Sequence, residues 1–149
     1  MARRLTAIVA LTHVLAGCSG GDRAMPAACL QDAAAVQRAL GAAPGAVALQ
    51  DGTRLSTCVQ RVRGDSELQT LGVTLTAVAD DLERRASRET GAAVRLGYLV
   101  GAVRKGARET NGIALELARR MEGTAALDGA PAAVHAAVRR GLRAGERTG

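Results

Sequence analysis

The chain has no phenylalanine, no tryptophan and a single tyrosine, Tyr98. A core without rings must be built from aliphatic side chains packed at close range, which suits helices with small-residue faces. The same absence removes the stacking platforms on which single-strand nucleic-acid binders depend. The charge excess of +6 over 149 residues is modest and largely spread out, so a nucleic-acid partner is not expected. Histidine is scarce, with only His13 and His135, and no CxxC or Cys/His cluster exists among three cysteines. Zinc-type ligation lacks its usual spacing. There is also no glycine-rich phosphate loop and no nucleophile-elbow pattern around any serine. No cofactor or metal is therefore expected.

What is present begins with Met1-Ala2-Arg3-Arg4, a short basic start, followed by the mostly apolar 12-residue stretch 5–16, LTAIVALTHVLA. As a helix it would span roughly 18 Å. That falls short of the ~30 Å hydrocarbon core of a bilayer, and it matches the apolar region of an export signal. His13 and two threonines make it less apolar than such regions usually are. An ordinary secretory leader with another cleavage site is the bland alternative.

Directly after it comes Leu15-Ala16-Gly17-Cys18. This tetrapeptide resembles the lipobox of bacterial lipoprotein precursors: an aliphatic residue, two small residues, then cysteine. The resemblance covers about the first 20 residues. It implies cleavage before Cys18, a diacylglyceryl group on the Cys18 thiol, and attachment to the bacterial cell membrane through fatty acyl chains such as palmitate. Two or three chains hold a protein on a bilayer where one does not, at ~0.8 kcal/mol per buried methylene. Residues 18–26, with Ser19, Gly20, Gly21, Asp22 and Pro26, read as a flexible polar tether. The expected organisation is a signal peptide at 1–17, the tether at 18–26 and a helical domain at 27–149.

Cysteine parity points the same way. An odd count in an exported protein needs an explanation. With Cys18 carrying lipid, Cys29 and Cys58 remain as a disulfide pair in an oxidising compartment; two buried free thiols are the alternative. Removal of the first 17 residues leaves 132 residues with a formal charge of about +4, enough chain for a real core.

Helical periodicity dominates after residue 26. Residues 27–40 read as a first helix between Pro26 and Gly41, residues 41–52 as an irregular link, and residues 53–62 as a short helix carrying Cys58. Val47, Ala48 and Leu49 suggest a brief extended run without a partner strand. The clearest signal is 66–87, where Ser66 is the expected cap with Gln69 three residues on, as in a capping box. Leu68, Leu71, Leu75, Val78 and Leu82 then form one apolar seam. Such a seam can serve a coiled-coil partner, but burial against the chain's own helices is the better account of five positions.

A further helix is expected at 91–109, with Ala92, Leu96, Leu99 and Val103 on one side and Gly97 and Gly101 on an adjacent face, continued by Gly106. Glycine costs a helix ~1 kcal/mol relative to alanine, so three of them predict close backbone approach by a neighbour. Asn111-Gly112 breaks the pattern; 113–122 follows with Ile113, Leu117 and Met121. The last helix opens after Asp128, its expected cap, with Val134, Val138 and Leu142 in register and residues 145–149 fraying. The expected fold class is all-α, a compact bundle of four to six helices, antiparallel where connections are short.

Candidate chemistry is sparse. His135 beside Val134 and Val138 lacks a His, Cys or paired-carboxylate neighbour and reads as structural. Asp80 and Asp81 point about 100° apart on a helix and form no catalytic dyad; Glu89 and Glu109 are isolated. Arg139, Arg140, Arg143 and Arg147 offer a basic face for anionic headgroups, although a solvated face on a basic protein is the simpler account.

The stretch 96–103, LGYLVGAV, followed by Thr110-Asn111-Gly112-Ile113 and Glu116-Leu117, is similar to a pattern in small uncharacterised actinobacterial exported proteins. That likeness implies a helical exported domain and no particular activity. The expected function is a non-enzymatic, membrane-anchored envelope lipoprotein whose helical domain binds an envelope protein. The second reading is a bundle holding a lipid or small hydrophobe between aliphatic helix faces. The third and weaker one is an envelope enzyme whose site is assembled from distant residues.

Overall fold

A computed structural model describes residues 24–110 and 112–149. The described chain is all-α: a 3-10 turn at Ala27–Leu30, then α1 (Ala33–Leu40), α2 (Leu55–Gln60), α3 (Asp65–Ala86), α4 (Thr90–Ala107), α5 (Leu115–Thr124) and α6 (Ala132–Thr148). No strand occurs among the described residues.

The expected first helix at 27–40 is two elements. Its break lies at Gln31–Asp32, where the Asp32 carboxylate accepts the Ala35 N–H at 2.8 Å and caps α1. An aspartate that satisfies a free helix N–H competes with a continuous helix through its own position. The seam of α3 is buried as expected, with Leu71, Leu75, Val78 and Leu82 inside and Leu68 half-buried. It faces the protein's own core, chiefly α4. Its start differs: Gly64 flanks the helix and Ser66 lies within the first turn. The reciprocal contact is made by Glu67, whose carboxylate accepts the Arg63 N–H at 2.9 Å. The sixth helix likewise begins after Pro131 and not on an Asp128 cap. Asp128 sits in a turn where Leu127 (φ 50°) and Gly129 (φ 77°) take left-handed backbone.

Helix α4 is the axis of the molecule. Thirteen of its eighteen residues are buried, because α2, α3, α5 and α6 all pack around it. The most extensive interface is with α6, and the two run parallel, with α5 as the short return between them. Glycines build this interface from both sides. A Cβ on Gly97 would collide with the Val138 carbonyl oxygen, and one on Gly101 with that of Leu142. Reciprocally, Gly141 abuts the Val94 carbonyl and Gly145 that of Tyr98. The backbones approach so closely that only glycine fits, which favours Cα–H···O contacts and dense dispersion. Gly106 does the same toward α2, where a Cβ would collide with the Ser56 carbonyl oxygen and lie 2.7 Å from the Val59 Cβ.

The end of α6 does not fray. The helix continues to Thr148 and Gly149 is buried. Helix C-termini leave carbonyls without partners, and here side chains from α2 and α4 supply them. The Ser56 hydroxyl donates to the Gly149 oxygen at 2.5 Å, and the Lys105 ammonium donates to the Arg147 and Gly149 oxygens at 3.1 Å each.

Candidate functional site

The lipobox cysteine, Cys18, and the expected signal peptide at 1–17 lie outside the described residues. Cys29 and Cys58 are joined, with their Cα atoms 5.3 Å apart. The bond staples the entry of the folded domain to α2, whose Ser56 in turn holds the end of α6.

Tyr98 is fully buried at the centre of α4. Its hydroxyl accepts the Val47 N–H at 3.1 Å and shares a hydrogen bond with the Thr148 hydroxyl at 2.9 Å. The extended run 47–49 thus finds its partner in a side chain, with Val47 and Leu49 buried against the core. Further along this link the Thr53 side chain and N–H hold the exposed Asp51 carboxyl below its ordinary pKa. All these groups are committed to holding the chain together.

The other titratable candidates are similarly occupied or isolated. Asp81 accepts from Arg85 at 2.5 Å and from Gln37 of α1 at 3.0 Å, with Arg84 at 3.4 Å. Arg85 also pairs with Glu89 at 3.5 Å. Asp81 is therefore the hinge of a structural network, and Asp80 points away from it onto a groove. His135 is half-buried on α6, and no group of three His, Cys, Asp or Glu among the described residues is placed to hold a metal ion. Glu109 lies exposed just beyond the end of α4.

Two surface features stand apart. The first is an open groove of about 560 Å³ between α3 and α5. Leu68, Gly72, Val73, Ala77 and Leu117 line it, with Asp80, Glu116 and Arg120 at its edges. Gly72 contributes no side chain and so leaves room between the helices; Val73 stands 66% exposed beside it. The apolar seam of α3 gives no sign of this groove, because Gly72, Val73 and Ala77 fall off the buried stripe. The second is the outer face of α6, where Arg139, Arg140, Arg143 and Arg147 are all exposed.

Among the described residues no helix is long and apolar enough to cross a membrane. No protein-family model matches the chain, and no curated protein or solved structure shows significant similarity to it.

Proposed function

We propose that the chain is a lipid-anchored envelope protein whose helical domain binds a partner and performs no catalysis. The observation that carries the reading is the cysteine arithmetic. Cys29 and Cys58 pair with each other, which leaves Cys18 alone at the end of an apolar leader in the sequence Leu-Ala-Gly-Cys. A disulfide suits an oxidising, exported setting, and an unpaired cysteine in that setting suits acylation. The binding role rests on the α3–α5 groove, whose apolar floor and mixed-charge edges have the character of a contact surface, and on the structural commitment of the buried polar groups.

Intact mass and fractionation in a lipoprotein-competent bacterium test the anchor, wild type against Cys18→Ala. The expected wild type is membrane-bound, begins at residue 18 and carries a diacylglyceryl mass, while the variant is soluble or unprocessed. Equal, unlipidated masses for both would remove the anchor. A photo-crosslinker at Val73 should then capture one specific envelope protein; recovery of the protein alone at native abundance counts against the partner.

The second reading, a lipid or small hydrophobe as ligand, is favoured by the volume and apolar lining of the same groove. Native mass spectrometry after gentle purification separates the two, since only a ligand-binding bundle retains a small bound mass.

A further inference from the structure

We infer that the outer face of α6 is a docking surface for an anionic phospholipid bilayer, and that it sets the orientation of the domain on the membrane. Arg139, Arg143 and Arg147 recur every fourth residue, so they form one stripe along the helix, and Arg140 stands beside it. All four side chains are exposed, and none makes an ion pair among the described residues. The one acidic residue of the helix, Glu146, is engaged by Arg104 at 3.3 Å and Arg108 at 3.2 Å from α4. It leaves the arginine stripe uncompensated. Elsewhere Arg84 and Arg85 pair with Asp81, Arg104 with Glu122 and Arg119 with Glu116, and the other exposed arginines, among them Arg38, Arg54, Arg63 and Arg88, are scattered over separate elements rather than gathered on one helix.

Charge is also divided between separate helices of the domain. Helix α6 carries four arginines and one glutamate, whereas α3 carries five carboxylates and two arginines. Both pack on α4, and they share no extensive contact with one another. A negatively charged plane therefore attracts the outer face of α6 and repels the carboxylates of α3. The inner face of α6, with Ala137, Gly141, Ala144 and Gly145, is locked against α4. The arginines are thus presented on a rigid support.

Connectivity places the entry of the folded domain at the same end. Cys29 is bonded to Cys58, two residues from Ser56, and Ser56 holds Gly149. The folded domain is entered close to the end of α6, where Arg143 and Arg147 lie. The 11 residues from Cys18 to Cys29 extend to at most about 40 Å. A lipid on Cys18 thus keeps this end of the helix within reach of the headgroups.

This inference takes its biological setting from the lipid-anchor reading, but its test does not depend on acylation. The full chain with Cys18→Ser is titrated with vesicles of phosphatidylcholine alone and of phosphatidylcholine mixed with phosphatidylglycerol. Binding should require the anionic lipid and fall steeply with salt. One arginine near an anionic surface contributes about a five-fold factor in partition. The variant R139Q/R140Q/R143Q/R147Q should therefore lose on the order of 100-fold or more. The variant R38Q/R54Q/R63Q/R88Q removes the same charge from other exposed positions and should retain most of the binding. Helical circular dichroism checks that both variants fold. Equal losses in the two variants, or no preference for the anionic vesicles, would overturn the inference. So would α6-dependent binding to heparin with no binding to vesicles, because the face would then serve a soluble polyanion. Loss of the Cys18 mass shift in the anchoring experiment leaves these outcomes unaffected, so the two readings fail separately.

Discussion

Replacing Gly141 by alanine adds one methyl group to a helix and should destabilise the protein, against the usual trend. Alanine favours a helix over glycine by about 1 kcal/mol. At Gly141, however, the new Cβ would collide with the Val94 carbonyl oxygen and lie 2.8 Å from the Tyr98 nitrogen. Both are backbone atoms of a buried helix, so no side chain can rotate out of the way. The helices must separate by about 1 Å, and overpacking of that kind costs about 1–3 kcal/mol or more. Separation also loosens contacts along the whole α4–α6 seam, since Gly97, Gly101 and Gly145 share it. The net loss should be about 2 kcal/mol, or roughly 8 °C in Tm.

Gly97→Ala should behave alike, because its Cβ meets the Val138 carbonyl. The double variant should lose less than the two single losses together, since helices already separated have room for the second methyl. Gly123→Ala provides the opposite sign. Gly123 is exposed near the end of α5 with nothing within 4 Å of an added Cβ, so alanine there should gain up to about 1 kcal/mol. Urea and thermal unfolding followed by circular dichroism measure all four variants. If Gly141→Ala and Gly97→Ala raise Tm as Gly123→Ala does, the close backbone contact between α4 and α6 is refuted.

Tyr98→Phe removes the acceptor of the buried Val47 N–H, while Thr148 keeps its bond to the Ala144 carbonyl at 3.0 Å. It should cost about 1–2 kcal/mol and speed amide exchange at Val47; unchanged exchange there would count against the bond. Cys29→Ser/Cys58→Ser opens a covalent link across 29 positions and should lower stability by about 3–4 kcal/mol on the chain-entropy model. Urea midpoints with and without reductant check this, and a reductant-insensitive wild type would show that the bond is absent.

The seam of α3 was legible because five positions repeat with helical spacing and burial depends on little else. Four of them lie in the core, and Leu68 stops at the rim of the groove. Gly97 and Gly101 announced a close neighbour for a physical reason, the cost of glycine in a helix, but the neighbour itself was hidden. Gly141 and Gly145 form the same small-xxx-small step on α6, and they lay among four arginines that drew attention to the opposite face. The split at Gln31–Asp32 was missed because apolar periodicity continues across it, and only the aspartate side chain reveals the new start. Fraying of residues 145–149 was expected from local composition. Local composition cannot register Lys105 and Ser56, which reach the last carbonyls from distant segments. The α3–α5 groove was illegible for a related reason: a groove depends on the distance between two helices, and periodicity gives only their faces.

The near-absence of aromatic side chains links these features. Large rings fill irregular gaps between helices, and a chain lacking them must bring its helices together by removing side chains instead. That requirement concentrates glycine and alanine at the α4–α6 interface and reserves the one ring, Tyr98, for the centre, where its hydroxyl also ties the 47–49 run to the end of α6. An interface made from backbone contacts tolerates little sliding or rotation, because each glycine has a matching carbonyl. Helix α6 is therefore fixed in rotation about its own axis, and its outer residues are fixed with it. The small-residue face and the arginine face are consequently coupled: a change at Gly141 or Gly145 turns the arginines, although it touches none of them.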